Sequence, residues 1–305
     1  MSGRVVVVGD ALIDELRDDT GVREFVGGAA LNVAVGLSRL GVPTTLVAMV
    51  GEDEPGGRIR TYLEDYGVEL LATPSPFGTS RAVSTRSPSG EPEYVFNEAA
   101  QKRRIRFGDA ERAAFADAAM VVVSCFPFDD RAQTDEFADA LDSASAALAV
   151  DPNPREGMLH DREEFVRGFE RISTGAVLVK IGEDDATLLY GESLDLLRPR
   201  IADLGVGAVL ATYGAGGAAI DAGADTVSRP ISAMPGRIVD TMGAGDAVLA
   251  ATVALLQDGM PADADEWGAV LERAMDVAAA TCRFEGALLR VPRALEGRDM
   301  DRIGT

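Results

Sequence analysis

Short apolar runs alternate with longer amphipathic stretches along most of the chain. One such run, Val5–Gly9, ends before Asp10. Runs of this kind are too short for ordinary helices and are rich in β-branched residues. Strands that alternate with helices are typical of βα units around a parallel sheet with helices on both faces. The pattern therefore predicts an α/β fold with a mostly parallel central sheet. Its predicted strands are Val5–Gly9, Thr44–Val50, Met120–Cys125, Ala147–Asp151, Ala176–Lys180 and Ala208–Thr212.

The stretches between these runs carry apolar residues at helical spacing. The first, Ala29–Leu40, is followed by Gly41 and then by Pro43, which are residues that commonly end helices. Two predicted helices in succession near the C-terminus indicate that the sheet is complete before them. The other predicted helices are Gly56–Tyr66, Asp109–Ala118, Arg131–Ser143, Asp161–Ile172, Asp184–Leu189, Ala244–Gln257 and Asp265–Arg283.

One region departs from this alternation. Thr79–Ser87 and Glu93–Asn97 resemble strands, and the turn residues of Pro88–Pro92 between them predict a hairpin. Asp14–Phe25 is likewise not helical, and it is expected to pair with the hairpin in a small sheet. We therefore expect a β lid of residues 12–25 and 78–97, inserted in a main α/β domain of residues 1–11, 26–77 and 98–305. An ordinary edge hairpin is the alternative.

Composition narrows the class of protein. The 305 residues include 50 Asp and Glu against 29 Lys and Arg, a formal net charge of −21. Because such a surface repels phosphodiesters and anionic lipids, we expect neither nucleic acid nor a membrane as a partner. A single histidine, His160, and two distant cysteines, Cys125 and Cys282, argue against a multi-histidine zinc site and a disulfide framework. With no apolar window long enough for a membrane span or a signal peptide, a soluble, cytoplasmic protein is predicted.

The most informative string is Asp240–Asp246, which reads Asp-Thr-Met-Gly-Ala-Gly-Asp and precedes an apolar helix. Its glycines allow a tight turn and close approach of a ligand to the backbone. The N–H groups there would point outward at the positive end of the helix dipole, which suits a phosphoryl group. A carboxylate at Asp246 repels phosphate, so it makes sense as the base that accepts a proton from an attacking hydroxyl. The alternative is an aspartate that only caps the helix.

A second glycine-containing string, Gly27–Asn32, opens the first predicted helix. Asn32 interrupts an otherwise apolar face, so its amide points inward or into a cleft, where it can fix a substrate hydroxyl. Asp10 and Asp14 flank the end of the first strand, where ligands of open α/β sheets bind. Because acidic residues are common in this chain, ordinary surface carboxylates are the alternative.

The two glycine-rich strings resemble the two signatures of the ribokinase-like (PfkB) carbohydrate kinases, and the resemblance covers nearly the whole chain. Val7–Asp14 is similar to the family's opening strand, and Val50–Gly56 is similar to its Gly-x-Asp-x-x-Gly turn. Asp151–Arg155 is similar to a stretch of its fructokinase-type members. The resemblance implies a three-layer α/β/α ribokinase-like fold with a small β-sheet lid.

The resemblance also implies roles for the matched residues. Asp246 would be the general base that deprotonates the sugar hydroxyl, and the amides of Gly243, Ala244 and Gly245 would hold the developing negative charge. The implied sugar-binding residues are Asp14, Gly28, Asn32 and Arg155. The implied neighbours of ATP are Thr212, Gly214, Gly217, Gly286 and Ala287. Asp240 and Thr241 fall where many members bind a potassium ion through backbone carbonyls.

One motif departs from the family. Many members carry Asn-x-x-Glu, which organises magnesium through water, whereas Gly182–Asp185 reads Gly-x-x-Asp. Gly182 has no amide side chain, and Asp185 is a shorter carboxylate whose task Glu183 is expected to share. Phosphoryl transfer needs a cation that bridges the β- and γ-phosphates, so Mg²⁺ remains implied. Neither Lys102 nor Lys180 lies in a P-loop motif.

The sequence thus predicts an ATP-dependent sugar kinase, most similar to fructokinases. Kinases for 2-keto-3-deoxygluconate, ribose or a nucleoside are alternatives, and so is a sugar-binding regulator that has lost turnover. A NAD-dependent oxidoreductase is a distant third, because the dinucleotide-like string Gly214–Ala219 precedes another strand and not a helix. A homodimer formed through the lid is left open.

Overall fold

A computed structural model describes residues 3–18, 21–85, 93–142 and 144–296. In chain order its strands are β1 (Val5–Gly9), β2 (Leu12–Asp18), β3 (Gly21–Gly27), β4 (Thr44–Val50), β5 (Glu69–Pro74), β6 (Arg81–Thr85), β7 (Glu93–Phe96), β8 (Met120–Ser124), β9 (Ala147–Asp151), β10 (Leu178–Gly182), β11 (Val209–Thr212), β12 (Ala218–Ala222) and β13 (Asp225–Arg229). Its helices are α1 (Ala29–Arg39), α2 (Glu54–Asp65), α3 (Glu98–Gln101), α4 (Asp109–Ala116), α5 (Arg131–Asp142), α6 (Arg162–Ser173), α7 (Glu183–Tyr190), α8 (Leu194–Ala202), α9 (Ala244–Leu256) and α10 (Ala264–Thr281).

The main sheet has nine strands in the order β13-β12-β11-β10-β9-β8-β1-β4-β5. The strands from β11 to β5 pair in parallel, and β12 pairs antiparallel with both of its neighbours, β11 and β13. Side chains of the interior strand β1 alternate between the two faces, with Val5 and Val7 in one apolar core and Val6 and Val8 in the other. The prediction of a three-layer α/β/α fold with a mostly parallel sheet is confirmed.

Helices cover both faces of this sheet. One core includes Leu31 of α1, Leu249 of α9 and Leu271 of α10. The other core lies against α4 to α8 and contains a cluster of phenylalanine rings, among them Phe115 and Phe137. Because helices pack on both faces, the sheet is open for a ligand mainly at the ends of its strands.

A second sheet of four strands has the order β3-β2-β6-β7. Strands β2 and β6 pair in parallel, and the outer pairs are antiparallel. The expected pairing of Asp14–Phe25 with the 79–97 hairpin is therefore confirmed, whereas the predicted turn Pro88–Pro92 lies outside the described residues. Asp53, which caps α2 through the amide of Gly56 (3.0 Å), also accepts a hydrogen bond from the amide of Thr79 (2.9 Å) at the start of the hairpin.

The predicted helices are all present, with ends that agree within two residues over the described chain. The predicted strand Ala176–Lys180 is displaced: β10 covers Leu178–Gly182, because Ala176 still belongs to the turn after α6, where its amide bonds to Ser173. β8 ends before Cys125, whose φ of 51° turns the chain out of the sheet.

Two elements lack a strong pattern in the sequence. The edge strand β5 has a single buried residue, Thr73, and α8 contains Pro199. None of the helices in the described ranges is both long and apolar enough to cross a lipid bilayer.

Candidate active site

The residues singled out from the sequence lie at the carboxyl ends of the parallel strands of the main sheet. There, β1 leads to Asp10, β9 ends at Asp151 and β10 ends at Gly182, while α1 and α9 begin beside them. Ligands of an open α/β sheet usually bind at these carboxyl ends. The small sheet lies next to these strand ends, since β1 passes directly into β2 and β3 into α1.

The start of α9 forms an anion-binding turn. Gly243 is the N-cap residue, with φ 73° and ψ 3°, and no side chain caps the helix there. A Cβ on Gly243 would lie 2.6 Å from the Cβ of Ala287, so both the conformation and the space require glycine. The amides of the first helical turn have no partners further back in the helix. The amide of Ala244 donates to the carbonyl of Thr241 at 3.2 Å, and the turn as a whole lies at the positive end of the helix dipole, which favours an anion.

Asp246 lies in this first turn but does not cap it. Its Oδ2 accepts a hydrogen bond of 2.9 Å from Nδ2 of Asn32, which α1 carries across the cleft. Asp246 is 7 % exposed, and its burial raises the pKa of the carboxyl group to about 6, against the lowering effect of the Asn32 hydrogen bond. The interpretation of Asp246 as a helix cap is wrong. A carboxylate with a pKa near neutrality is suited to accept a proton.

Two more carboxyl groups lie near Asp246. Oδ1 of Asp10 accepts a hydrogen bond of 3.0 Å from the amide of Ala30 in α1. Burial raises the pKa of Asp10, and it raises that of Asp14 on β2 to about 7, helped by the charges of Asp10 and Asp246. Gly28, with φ 110°, lies so close that a Cβ there would be 2.8 Å from the backbone oxygen of Asp10. The cleft is thus lined by acidic groups that a sugar hydroxyl can donate to.

Arg155 supplies positive charge to the same cleft. It follows Asn153, whose φ of 38° turns the chain at the end of β9. The residue is exposed to solvent. Desolvation opposes its charge, but Cys125 and the carboxylates of Asp246 and Asp10 outweigh that effect and raise its pKa. Arg155 is therefore charged and lowers the pKa of both Asp14 and Asp246.

The loop before α9 is fastened to the loop after α10 by Asp240. One carboxylate oxygen accepts a hydrogen bond from the amide of Met242 and the other from the amide of Gly286, both at 3.0 Å. A cavity of about 260 Å³ lies between Leu16 and Arg23 of the small sheet and the Asp240–Thr241 loop. Gly286 and Ala287 thus lie against the anion-binding turn, as the resemblance implies for residues near the nucleotide.

The remaining residues implied to lie near the nucleotide and magnesium surround the ends of β10 and β11. A Cβ on Gly182 would lie 3.2 Å from Oγ1 of Thr212, and Oε2 of Glu183 approaches the Cβ position of Gly214 to 4.0 Å. Gly217 has φ 94° and turns the chain from β11 into β12. In the described part of the chain, no group of three or more His, Cys, Asp or Glu side chains has a metal-holding arrangement.

One group in the site is absent from the residues predicted from the sequence. Lys180 is buried, and its Nζ lies 3.0 Å from Oδ1 of Asp151 and 3.8 Å from Oδ2 of Asp185. The other oxygen of Asp151 accepts a hydrogen bond of 2.9 Å from Ser124. The available signal was a lysine inside an apolar strand of a chain that has only one other lysine. His160, in contrast, is exposed.

Comparison with known proteins finds similar proteins over nearly the whole chain. The family model described as pfkB family carbohydrate kinase matches residues 2–293. The fructokinase of Salmonella typhimurium is 27% identical over 99% of this chain and 99% of its own length. The ATP-dependent 6-phosphofructokinase of Thermoanaerobacterium thermosaccharolyticum is 24% identical over 94% of this chain and 90% of its own. The crystal structure of fructokinase with bound ATP from Xylella fastidiosa superposes with a TM-score of 0.82 at 20% identity, covering 97% of this chain and 98% of that one.

Fold and site together define a ribokinase-like sugar kinase, a phosphotransferase with an alcohol group as acceptor. The chain belongs to the pfkB family of carbohydrate kinases.

Proposed function

We propose that this protein transfers the γ-phosphate of ATP to a hydroxyl group of fructose. The observation that carries the proposal is the buried carboxylate of Asp246, held by Asn32 beside the amides that begin α9. This arrangement brings a proton acceptor and an anion-binding turn to the same point, which transfer between a hydroxyl and a phosphate requires. Relatives that are named fructokinases support the choice of sugar.

In the proposed reaction, Asp246 accepts the proton of the attacking sugar hydroxyl. The sugar oxygen forms a bond to the γ-phosphorus while the bond from that phosphorus to the β-bridging oxygen breaks, and ADP leaves with the electron pair. The amides of Gly243, Ala244 and Gly245 stabilise the charge on the oxygens of the transferred group. Asn32 orients Asp246, and Arg155 adds positive charge on the sugar side of the cleft.

We further propose that Asp14, Gly28 and Asn32 position the sugar, while Thr212, Gly214, Gly217, Gly286 and Ala287 border ATP. Glu183 fits a water-mediated role toward magnesium, because it is exposed and faces the Gly214 loop. Asp185 fits that role less well, because it is buried and accepts a hydrogen bond of 2.7 Å from the amide of Gly182. Mg²⁺, when bound, supplies charge neutralisation at the β- and γ-phosphates.

The charge of the cleft supports a neutral sugar as the acceptor. Asp10, Asp14 and Asp246 all lie in it, and they outnumber Arg155, whose charge lowers the pKa of all three against the raising effect of burial. A sugar acid or a sugar phosphate would bring further negative charge to these groups. The charge of the cleft therefore favours fructose, ribose or a nucleoside over 2-keto-3-deoxygluconate and over phosphorylated sugars.

ADP release over a panel of acceptors, with and without magnesium, tests the proposed function. We expect the highest kcat/KM with fructose, and values at least about tenfold lower for ribose, nucleosides, 2-keto-3-deoxygluconate and fructose 6-phosphate, which corresponds to about 1.4 kcal/mol of discrimination. A higher kcat/KM for an anionic sugar would contradict the charge argument. Sugar binding without ADP release from any acceptor would instead identify a sugar-binding regulator.

The pH dependence of kcat/KM follows from the raised pKa values. Asp246, with a pKa of about 6, must be ionised to accept a proton, and Asp14, with a pKa of about 7, is the better hydrogen-bond acceptor when ionised. Lowering the pH protonates both groups, so kcat/KM should fall below about pH 7 and stay level above it. A pH–rate profile from pH 5 to 9 measures this, and a flat profile would contradict it.

Asp14→Asn provides the control for that profile. Because this variant removes one of the two titrating groups, the acid limb should become shallower, with a single pKa near that of Asp246. An acid limb identical to that of the wild type would show that Asp14 does not contribute.

Several further properties belong to the same proposal. The small sheet of β2, β3, β6 and β7, in the lid predicted for residues 12–25 and 78–97, would exclude water, which otherwise competes as a phosphoryl acceptor. Exposed Val22, Tyr94 and Val95 on this sheet would suit a homodimer formed through the lid. The carbonyls of Asp240 and Thr241 would bind potassium. The protein would act in the cytoplasm, where ATP is available.

A further inference from the structure

Lys180 has its ammonium group next to the anion-binding turn at the start of α9. It lies on β10 two residues before Gly182, so both positions face the same side of the sheet. A Cβ built on Gly245, the second residue of α9, would lie 3.5 Å from Nζ of Lys180. The ammonium group therefore lies on the side of Gly245 where a side chain would project, next to the turn that would receive the transferred phosphate.

The ammonium group has more donors than partners. Lys180 has an exposed side-chain fraction of 8%, and an ammonium group has three N–H donors. Among the described residues it donates one hydrogen bond, to Asp151, and its distance of 3.8 Å from Asp185 is too long for another. Because buried donors normally have partners, the other N–H groups of Lys180 are suited to donate to an oxygen atom of a ligand at the turn.

Gly182 and Asp185 both lie close to Lys180. A Cβ at Gly182 would lie at an ordinary contact distance of 3.4 Å from Oδ2 of Asp185. That oxygen accepts a hydrogen bond of 2.7 Å from the amide of Gly182 and lies 3.8 Å from Nζ of Lys180. The residues that depart from the Asn-x-x-Glu pattern are thus the residues that surround Lys180.

Lys180 remains charged in this environment. Burial opposes the charge, but the carboxylates of Asp151 and Asp185 outweigh the cost of burial and raise the pKa of Lys180. The only other lysine of the chain, Lys102, is exposed and pairs with Glu98 at 2.7 Å, so it offers an internal reference.

We propose that Lys180 is a catalytic residue whose ammonium group, held by Asp151 under Gly245, donates a hydrogen bond to the γ-phosphate of ATP. The ammonium group would supply a fixed positive charge near Gly182 and Asp185, the two residues that differ from the family's Asn-x-x-Glu motif. The inference rests on the proposed kinase function. Its consequence is that phosphate binding depends on Lys180 as well as on backbone amides and magnesium.

Two lysines in the whole chain make a direct test practical. In protein labelled with ¹³C at lysine Cε, NMR should show two lysine signals, which Lys102→Met assigns. We expect the Lys180 signal to shift strongly with the β,γ-methylene analogue of ATP, less with ADP and little with AMP, while the Lys102 signal stays unchanged. Lack of a Lys180 response at saturating analogue, or equal responses to all three nucleotides, would overturn the proposal.

Kinetics of Lys180→Met provide the second test. The loss of one donor to the transferred phosphate should lower kcat by about 10²- to 10³-fold, with the KM for sugar nearly unchanged. Lys102→Met should keep wild-type kinetics. A folded Lys180→Met variant with kcat within threefold of the wild type would overturn the inference. If Asp151, left without its partner, prevents folding, the NMR titration of the wild type decides. Lack of kinase activity in the wild type would instead contradict the proposed function.

Discussion

Asp246→Asn should lower kcat by about 10²- to 10⁴-fold, the usual contribution of a general base, while binding of ATP is largely kept. The asparagine retains the size of the side chain and an oxygen for the hydrogen bond from Asn32, but it cannot accept the proton. Steady-state kinetics give kcat, and calorimetry gives the affinity for the nucleotide. A variant with near-normal turnover would show that Asp246 is not the base.

Stability separates this chemical effect from a folding defect. Burial raises the pKa of Asp246 from 3.8 to about 6, so ionisation above that pH costs folding free energy. The neutral amide removes the cost, and the variant should have an unchanged or higher melting temperature at pH 7. The matched control is Asp265→Asn, an exposed aspartate in the first turn of α10, which should leave both kcat and melting temperature unchanged.

Gly243→Ala should have the second-largest effect. The added Cβ would lie 2.6 Å from the Cβ and 2.8 Å from the Cα of Ala287, and the residue must also keep φ at 73°. The loop of Ala287 and the start of α9 must then move apart, which displaces the amides that would hold the phosphate. We expect kcat/KM for ATP to fall by at least about 10²-fold, the effect of losing one oxyanion donor. The melting temperature should fall as well, because overpacking and strain each cost about 1–3 kcal/mol.

Gly41→Ala is the control for backbone strain. Gly41 also has a positive φ, of 85°, but a Cβ there meets no atom within 4 Å. This variant should lose about 1–2 kcal/mol of unfolding free energy from the left-handed conformation alone and keep wild-type kinetics. Equal activity losses in both variants would contradict the steric account of Gly243.

The layers and the small sheet were predictable because their signals are local. Runs such as Val5–Gly9 and the helix-ending Gly41 act within a few residues, and the structure follows them. The edge strand β5 and α8 were not predicted, because burial of few residues leaves little periodicity and Pro199 weakens a helical pattern. The displaced bounds of β10 reflect pairing with neighbouring strands, which single-strand patterns do not contain.

The site was predictable where glycines mark a backbone turn and where a polar residue interrupts an apolar face. Asp246 and Asn32 lie more than two hundred positions apart, and the structure joins them in a hydrogen bond. Lys180 was not recognised, because its partners Asp151 and Asp185 come from β9 and α7 and meet it only in the folded chain. The pattern of the sequence does not contain the distances between residues that are brought together only by folding.

Transfer of the γ-³²P label from ATP to fructose tests the central claim most directly. The wild-type protein with magnesium should produce labelled fructose phosphate together with equimolar ADP. Asp246→Asn should produce both at a rate about 10²- to 10⁴-fold lower. Absence of labelled sugar in the wild-type reaction, or undiminished transfer by Asp246→Asn, would contradict the account of this cleft as a fructose kinase site that depends on Asp246.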